Sequence, residues 1–373
     1  MKKVLFVAKT VKSHILVFHV PYLKWFKENG YEVHVCADND FNESEENIIP
    51  YCDKYHEIPF SRSVFSLENL NAMKETKQVI DEHHFDVIHC HTPVAAAITR
   101  IAAINTRKKG TKVIYTAHGF HFYNGAPIIN WLLYYPVERL LSNVTDVLIT
   151  INHEDYNRAQ KFNANTVEYV PGVGVDLKKY SNETYSKNDL RRKYKINNND
   201  TILINVGELT KNKNQETLIK AVKKLNNKQI KLLICGVGDN YDQLKELIND
   251  LSLNSQVKLL GYRKDINQLL NLSDIYLFPS YREGLSLSLM EAMVSGLPVI
   301  CSNIRGNIDL IDHNKGGYTI DPSDIEAFSI SINKIISNKQ LSKSMGQYNQ
   351  EKIKMFSLDE VLSQMISIYE KTI

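Results

Sequence analysis

Glu283 and Glu291, eight positions apart, frame the segment of this chain best suited to chemistry. They stand in Tyr281-Arg282-Glu283-Gly284-Leu285-Ser286-Leu287-Ser288-Leu289-Met290-Glu291-Ala292-Met293, closed by Gly296-Leu297-Pro298. The preceding run Ile275-Tyr276-Leu277-Phe278 reads as a buried strand, and the residues after Ser286, a plausible N-cap, read as a helix. One carboxylate then sits at a loop tip and the other on the helix behind it. The backbone amides of Gly284, Leu285, Ser286 and Leu287 lie at the positive end of that helix, where an anion is favoured. This arrangement suits a polyhydroxylated ligand carrying phosphates. Glu283 would accept from sugar hydroxyls. Glu291, among Leu287, Leu289, Met290, Ala292 and Met293, needs donors if it is buried, and a ribose diol would supply two. The plain alternative is a helix glutamate that faces solvent.

Two further loops follow strand candidates. Gly207-Glu208-Leu209-Thr210-Lys211-Asn212-Lys213-Asn214 leads into a helix near Gln215. A lysine just before a helix can meet a phosphate together with the free amides; a solvated Lys/Asn loop fits equally well. In Cys235-Gly236-Val237-Gly238-Asp239 the glycines permit close backbone approach to a ligand, although a tight turn is the simpler reading.

Apolar runs read as strands at 3–8, 32–37, 86–91, 112–117, 145–151, 202–206, 230–235, 256–260, 274–279 and 298–301. Helix-period stretches fall between them, at 15–29, 66–80, 94–106, 214–226, 240–251 and 323–336 among others. Continuous apolar strands alternating with helices belong to parallel sheets covered on both faces. The chain of 373 residues carries too many for one sheet. Pro171-Gly172-Val173-Gly174 is a turn-rich crossing, and a polar stretch reaches to Asp200 before a fresh strand begins. Two doubly wound Rossmann-like α/β domains facing a deep cleft are therefore expected, with ligands beyond the carboxyl ends of the strands.

The net charge of +3 gives little support to nucleic-acid binding. The five cysteines, Cys36, Cys52, Cys90, Cys235 and Cys301, have no C-x-x-C spacing and lie in or near apolar segments. They read as buried free thiols in a reducing cytoplasm, with no metal expected. The apolar run after Met1-Lys2-Lys3 ends at Lys9, too short for a secretory leader, and no segment reaches the roughly 18–20 apolar residues of a membrane span. Residues 17–27 and 128–135 mix aromatics with apolar and basic side chains. They fit either interfacial membrane contact or the core faces of amphipathic helices.

The segment around Glu283 and Glu291 resembles the E-x7-E motif of retaining glycosyltransferases with the GT-B fold, specifically glycosyltransferase family 4. Residues 280–299, Arg305-Gly306-Asn307 and Gly316-Gly317 are similar to the bacterial capsular and exopolysaccharide transferases of that family. So are Val87-Ile88-His89-Cys90-His91, Tyr115-Thr116-Ala117-His118-Gly119-Phe120-His121-Phe122-Tyr123, Thr150-Ile151-Asn152 and Pro171-Gly172-Val173-Gly174-Val175-Asp176.

The resemblance implies an N-terminal acceptor-binding domain over 1–172 and a nucleotide-sugar-binding domain over 173–356. The last helix, within 357–373, is expected to pack back on the first domain. His118, Glu283 and Lys213 become the catalytic candidates. Glu291, Gly284, Leu285, Ser286, Leu287, Gly207, Tyr262, Arg263, Gly236 and Arg282 become donor-binding candidates. His14, Ser13, His121 and Asn152 line the first-domain side, with His89 and His91 weaker. Glu208 stands where the family carries an arginine, so Arg282, Lys211 or Arg263 would have to compensate unless Glu208 turns away. The family's glycine-rich first loop is replaced by Lys9-Thr10-Val11-Lys12-Ser13-His14, whose Lys12, Ser13 and His14 are the available phosphate contacts.

The implied reaction moves a sugar, expected to be an N-acetylhexosamine or a related amino sugar, from a nucleotide-diphosphate donor, a UDP-sugar above all. The acceptor would be a lipid-linked saccharide in capsular or extracellular polysaccharide biosynthesis. The enzyme would need no cofactor or metal, and would work in the cytoplasm at the inner face of the plasma membrane, touching it through the N-terminal domain. A sugar-nucleotide 2-epimerase of similar architecture and a non-catalytic sugar-nucleotide-binding partner are the competing readings.

Overall fold

The computed structural model describes residues 1–41, 47–61, 63, 65–181 and 186–373. The chain forms two compact units, Met1–Val173 with Val361–Ile373, and Gly174–Glu360.

The first unit is built on a seven-stranded parallel sheet in the order β3-β2-β1-β4-β5-β6-β7. Its strands are β1 (Lys3–Thr10), β2 (Glu32–Asp38), β3 (Lys54–Glu57), β4 (Val87–His91), β5 (Lys112–Ala117), β6 (Val147–Thr150) and β7 (Thr166–Tyr169). Strand side chains alternate between faces, and here both faces are apolar. Leu5, Val7, Ile88, Cys90, Val113 and Tyr115 face one core. Val4, Phe6, Val33, Val35, Val87 and Ile114 face the other, which the C-terminal helix Leu358–Thr372 covers with Val361, Met365, Ile368 and Tyr369.

The second unit carries a six-stranded parallel sheet in the order β10-β9-β8-β11-β12-β13. Its strands are β8 (Thr201–Val206), β9 (Ile230–Cys235), β10 (Val257–Leu259), β11 (Ile275–Phe278), β12 (Val299–Ser302) and β13 (Gly317–Ile320).

All ten strand candidates form strands. The three that the sequence reading lacks, β3, β7 and β13, are edge strands. The helix expected over 15–29 is divided. A π-helical turn at Val11–Ile15 and a short helix at Leu16–Phe18 precede the helix Val20–Glu28. Pro21 lies in the first turn of that helix, where its missing N–H has no bond to lose. Cys36, Cys90, Cys235 and Cys301 are buried free thiols, whereas Cys52 is only half-buried, its Sγ donating to the Lys54 carbonyl at 3.2 Å.

Candidate active site

In the second unit the loops after β8 and β11 are tied together. The Tyr281 amide donates to the Asn212 carbonyl at 2.8 Å, and Asn212 Nδ2 donates to the Arg282 carbonyl at 3.0 Å. Asn214, left-handed at φ 54°, begins the helix Gln215–Leu225 and donates to the carbonyls of Pro279 and Pro322. This lacing brings Lys213 to Glu283, with Nζ–Oε1 at 2.7 Å and side-chain exposures of 21% and 11%. The ammonium also lies 5.0 Å from the centre of the Phe278 ring. Glu283 is therefore already paired with a cation, and its backbone carbonyl is held by buried Arg305 Nε at 3.1 Å.

The helix behind the loop is Leu287–Val294. Ser286 caps it, its hydroxyl accepting from the Leu289 amide at 3.4 Å. Tyr276 donates to Ser288 Oγ at 2.9 Å, which in turn donates to the Val206 carbonyl at 3.1 Å, so the first helical turn is pinned to the end of β8. Gly306, at φ 76°, lies so close to the Gly284 carbonyl that a Cβ there would come within 2.0 Å of it. The backbone of the motif thus rests on the Arg305-Gly306 turn.

Glu291 does not face solvent: it is 9% exposed. Burial raises its pKa, and the Tyr180 hydroxyl hydrogen-bonds the carboxylate and partly offsets this. A buried acceptor with a spare oxygen is what a vicinal diol needs.

The glycine loops answer the question left open at 236–238. A Cβ on Gly236 would sit 1.9 Å from the Gly207 carbonyl, and one on Gly238 2.4 Å from the Leu209 carbonyl. Gly207 N donates to the Cys235 carbonyl and Gly236 N to the Gly261 carbonyl. These glycines let three loops touch one another. Glu208 is exposed, and its carbonyl accepts from the Thr210 amide at 3.1 Å and Gln215 Nε2 at 2.9 Å. Arg263 is engaged by Asp265 through Nε at 2.8 Å and does not supply the compensating cation. Tyr262 is exposed and lines, with Arg263, Lys264 and Asp265, an open pocket of about 510 Å³. A larger cavity of about 860 Å³ lies at the amino ends of the strands, beside Thr201, Ile275 and Pro298, away from these loops.

In the first unit, His118 follows β5 and meets His91 across 3.3 Å (His91 Nδ1 to His118 Nε2). His19 stacks on His91 with ring centres 3.8 Å apart, and its Nε2 reaches His14 Nδ1 at 3.0 Å. Close packing holds these imidazoles neutral: His118 is pushed down to about 4, and His14, by burial and then by His118, to about 3. His118 at neutral pH is thus a hydrogen-bonding group, not a cation. His89 bonds Tyr369 Oη and Thr116 Oγ1, each at 2.9 Å, and ties the C-terminal helix to the sheet.

Two first-domain expectations are corrected. Asn152 is fully buried and caps the helix His153–Ala159, accepting from the Asp155 amide at 2.9 Å and donating to Asp155 Oδ2 at 2.8 Å. It lines no groove; through Asp155, which accepts from the Phe120 amide, it braces the segment after His118. In the loop at 9–14 the Lys12 and Ser13 amides and the Ser13 hydroxyl are not open to an anion, because Asp40 already takes them. His121 stacks on Tyr134 at 4.5 Å and lines a cavity of about 280 Å³ at the carboxyl ends of β1 and β4, with Lys9, Phe60, Thr92 and Val94.

Sequence reasoning did not single out His19, Tyr180 or Arg305 as site residues. Arg305 lay in a quoted stretch, but its bond to Glu283 appears only once β12 is placed beside β11.

The two aromatic stretches behave differently. In 17–27, Tyr22, Leu23 and Phe26 are core and Trp25 stacks on Tyr369. In the helix Ile128–Ser142, Trp131, Tyr134 and Tyr135 pack inward, while Ile128, Ile129, Leu132, Leu133, Val137 and Leu140 are exposed. Those six recur at three- and four-residue spacing, one apolar stripe on one helix. Among the described residues no helix is long and apolar enough to cross a membrane.

Residues 3–152 match the family model described as glycosyl transferase 4-like, and residues 186–352 that of glycosyl transferases group 1. EpsD of Bacillus subtilis (strain 168), assigned to the glycosyltransferases, is 38% identical over 99% of this chain and 96% of its own. The UDP-Gal:alpha-D-GlcNAc-diphosphoundecaprenol alpha-1,3-galactosyltransferase of Escherichia coli is 28% identical over 75% and 74%. The crystal structure of HepE from Anabaena, in complex with UDP and glucose, superposes with a TM-score of 0.82 over the whole of both chains at 20% identity. With two parallel sheets, the E-x7-E strand–loop–helix and these matches along its length, the chain belongs to family 4 of the glycosyltransferases and has the GT-B fold.

Proposed function

We propose that this glycosyltransferase moves a sugar, an N-acetylhexosamine or related amino sugar, from a UDP-sugar to a lipid-linked saccharide, with retention at the anomeric carbon, in capsular or extracellular polysaccharide synthesis. The observation that carries the proposal is the Lys213–Glu283 pair beside the Ser286-capped helix, with buried Glu291 on that helix. A donor diphosphate supplies the negative charge for which Lys213 would leave Glu283. Glu283 then turns its freed oxygens to the sugar hydroxyls, and the Leu285 to Leu287 amides meet the diphosphate. Glu291 takes the ribose diol. As the bond from C1 to the diphosphate breaks, charge grows on the leaving oxygen, where fixed amides and Lys213 stabilise it. The new bond from the acceptor oxygen to C1 forms on the same face, and the acceptor proton passes to the departing diphosphate. His118, neutral, serves as a hydrogen-bond partner to the sugar.

The acceptor reading draws on the lipid diphosphate named for the Escherichia coli relative and on the apolar stripe of the helix Ile128–Ser142. A stripe of that size on one helix suits the interface of a membrane, which supports the reading of an enzyme working at the inner face of the plasma membrane. The test is a donor screen by nucleotide release, with synthetic prenyl-diphosphate sugars as acceptors and product anomers read by NMR. Acceptor-dependent UDP release with an α-configured donor giving an α-linked product supports the reading. Absence of acceptor-dependent release with every donor, or conversion of UDP-N-acetylglucosamine without acceptor, overturns it.

A further inference from the structure

A second histidine group lies in the first unit, outside the cluster around His118. His34 is on β2, His56 on β3, and His83 ends the helix Glu68–His83. The parallel register pairs His34 with Lys54 and Cys36 with His56, so His34 and His56 lie on one face of the sheet, diagonal to each other. His83 reaches the same face from above, its ring centre 4.7 Å from that of His34 and 5.3 Å from that of His56. One ring nitrogen from each of the three lies within 4.8 Å of the others, and His34 Nδ1 and His56 Nε2 are 3.0 Å apart.

We propose that His34, His56 and His83 form a zinc site that clamps edge strand β3 to the end of the helix covering it. The decisive feature is Glu32. His34 is fully buried, and its Nε2 bonds Glu32 Oε1 at 2.9 Å. That bond places the proton on Nε2 and leaves the Nδ1 lone pair facing His56. A ligating imidazole is usually oriented in this way, by a carboxylate on its far nitrogen. The 3.0 Å gap is closed by a hydrogen bond when His56 carries its proton on Nε2; in the other tautomer two lone pairs face each other and a cation fits between them. Tetrahedral zinc with bonds of about 2.0–2.1 Å sets neighbouring nitrogens about 3.3 Å apart, so His34 and His56 are already near bonding separation. His83 can close on them, because the helix stops there: His84 is left-handed at φ 52°.

Charge around the site is mixed. Lys54 bonds Glu32 at 3.1 Å and Lys3 lies 3.9 Å from it, while Glu82 sits beside His56 and His83. Burial lowers the pKa of all three imidazoles, that of His56 to about 4. Imidazole donors with one open position suit zinc among the common divalent ions. The clamp is independent of the transferase reading, since none of its residues touches Glu283, Glu291 or His118.

The test uses the full chain stripped with chelator and titrated with Zn²⁺ by calorimetry at pH 7.5. One zinc per chain is expected, with affinity reduced about 100-fold or more in His56→Gln and in His83→Gln, and about 10–100-fold in Glu32→Gln. His14→Gln, a change in the other histidine group, should leave that binding intact. Zinc should raise the melting temperature of the wild type and not that of His56→Gln, whose metal-free melting should match the wild type. Saturable binding that survives both His56→Gln and His83→Gln, binding abolished only by His14→Gln, or no saturable binding by the wild type overturns the assignment.

Discussion

Glu291→Gln separates the cost of the buried carboxylate in the fold from its use in the site, because the two effects have opposite signs. The side chain is 9% exposed, and burial raises its pKa, so the fold favours the protonated form. A carboxylate whose folded pKa lies above the unfolded value binds more protons in the native state. Stability therefore falls as pH rises from the unfolded value, about 4.3, through the raised folded value, and stays lower above it. Glutamine keeps the shape and an oxygen acceptor for the Tyr180 hydroxyl but removes the desolvated charge. The variant should melt at or above the wild-type temperature at pH 7.5, and it should lose the part of the pH slope that Glu291 contributes. Donor binding should weaken. Hydrogen bonds to a charged acceptor are worth about 1.5–3 kcal/mol, so replacing the proposed ribose acceptor by a neutral amide should lower UDP affinity by about 10- to 150-fold. Thermal denaturation across pH 4–8 and UDP calorimetry on the same preparations measure both. A variant that is clearly destabilised at pH 7.5 while binding UDP as tightly as the wild type would refute the reasoning, since Glu291 would then be a structural partner of Tyr180 alone.

Other consequences follow from the same geometry. Lys213→Met leaves Glu283 half-buried without its cation; we expect a stability loss of about 1–3 kcal/mol in urea unfolding and a fall in kcat of about 10²–10³, with Glu283→Gln in the same chain restoring stability but not turnover. His14 and His89, each held near a pKa of about 3, bind protons in the unfolded chain before the folded one, so native stability should drop as pH falls below about 6.5. Urea unfolding at pH 5 and pH 7 should show a smaller difference in His14→Gln than in the wild type. Leu132→Ser with Leu140→Ser, two exposed positions, should leave the melting temperature unchanged and abolish sedimentation with anionic vesicles; retained sedimentation would place membrane contact elsewhere.

Interior parallel strands are legible in a sequence because both of their faces must be apolar, and β1, β4, β5, β8, β9, β11 and β12 announce themselves in that way. β3, β7 and β13 do not. Each lies at a sheet edge with one neighbour, so residues such as Lys54, Glu57 and Glu168 are tolerated and the apolar run disappears. The same distinction runs through the site. Glu283, Ser286 and Glu291 were readable because one strand–loop–helix carries all three. Arg305 supports Glu283 from 22 residues downstream, and Tyr180 meets Glu291 from the start of the unit; both depend on pairings that no local pattern records. Composition misleads where side-chain direction decides the outcome. The aromatics at 131–135 suggest an interfacial belt, yet the rings point inward and the aliphatic residues beside them are exposed. At the first loop, Lys12, Ser13 and His14 are residue types that could hold a phosphate, but Asp40 on the strand-end loop next door already occupies the Lys12 and Ser13 amides and the Ser13 hydroxyl. An anion entering there would have to displace a carboxylate bound by three donors, whereas at Lys213 it meets a cation whose present partner is itself a proposed sugar ligand.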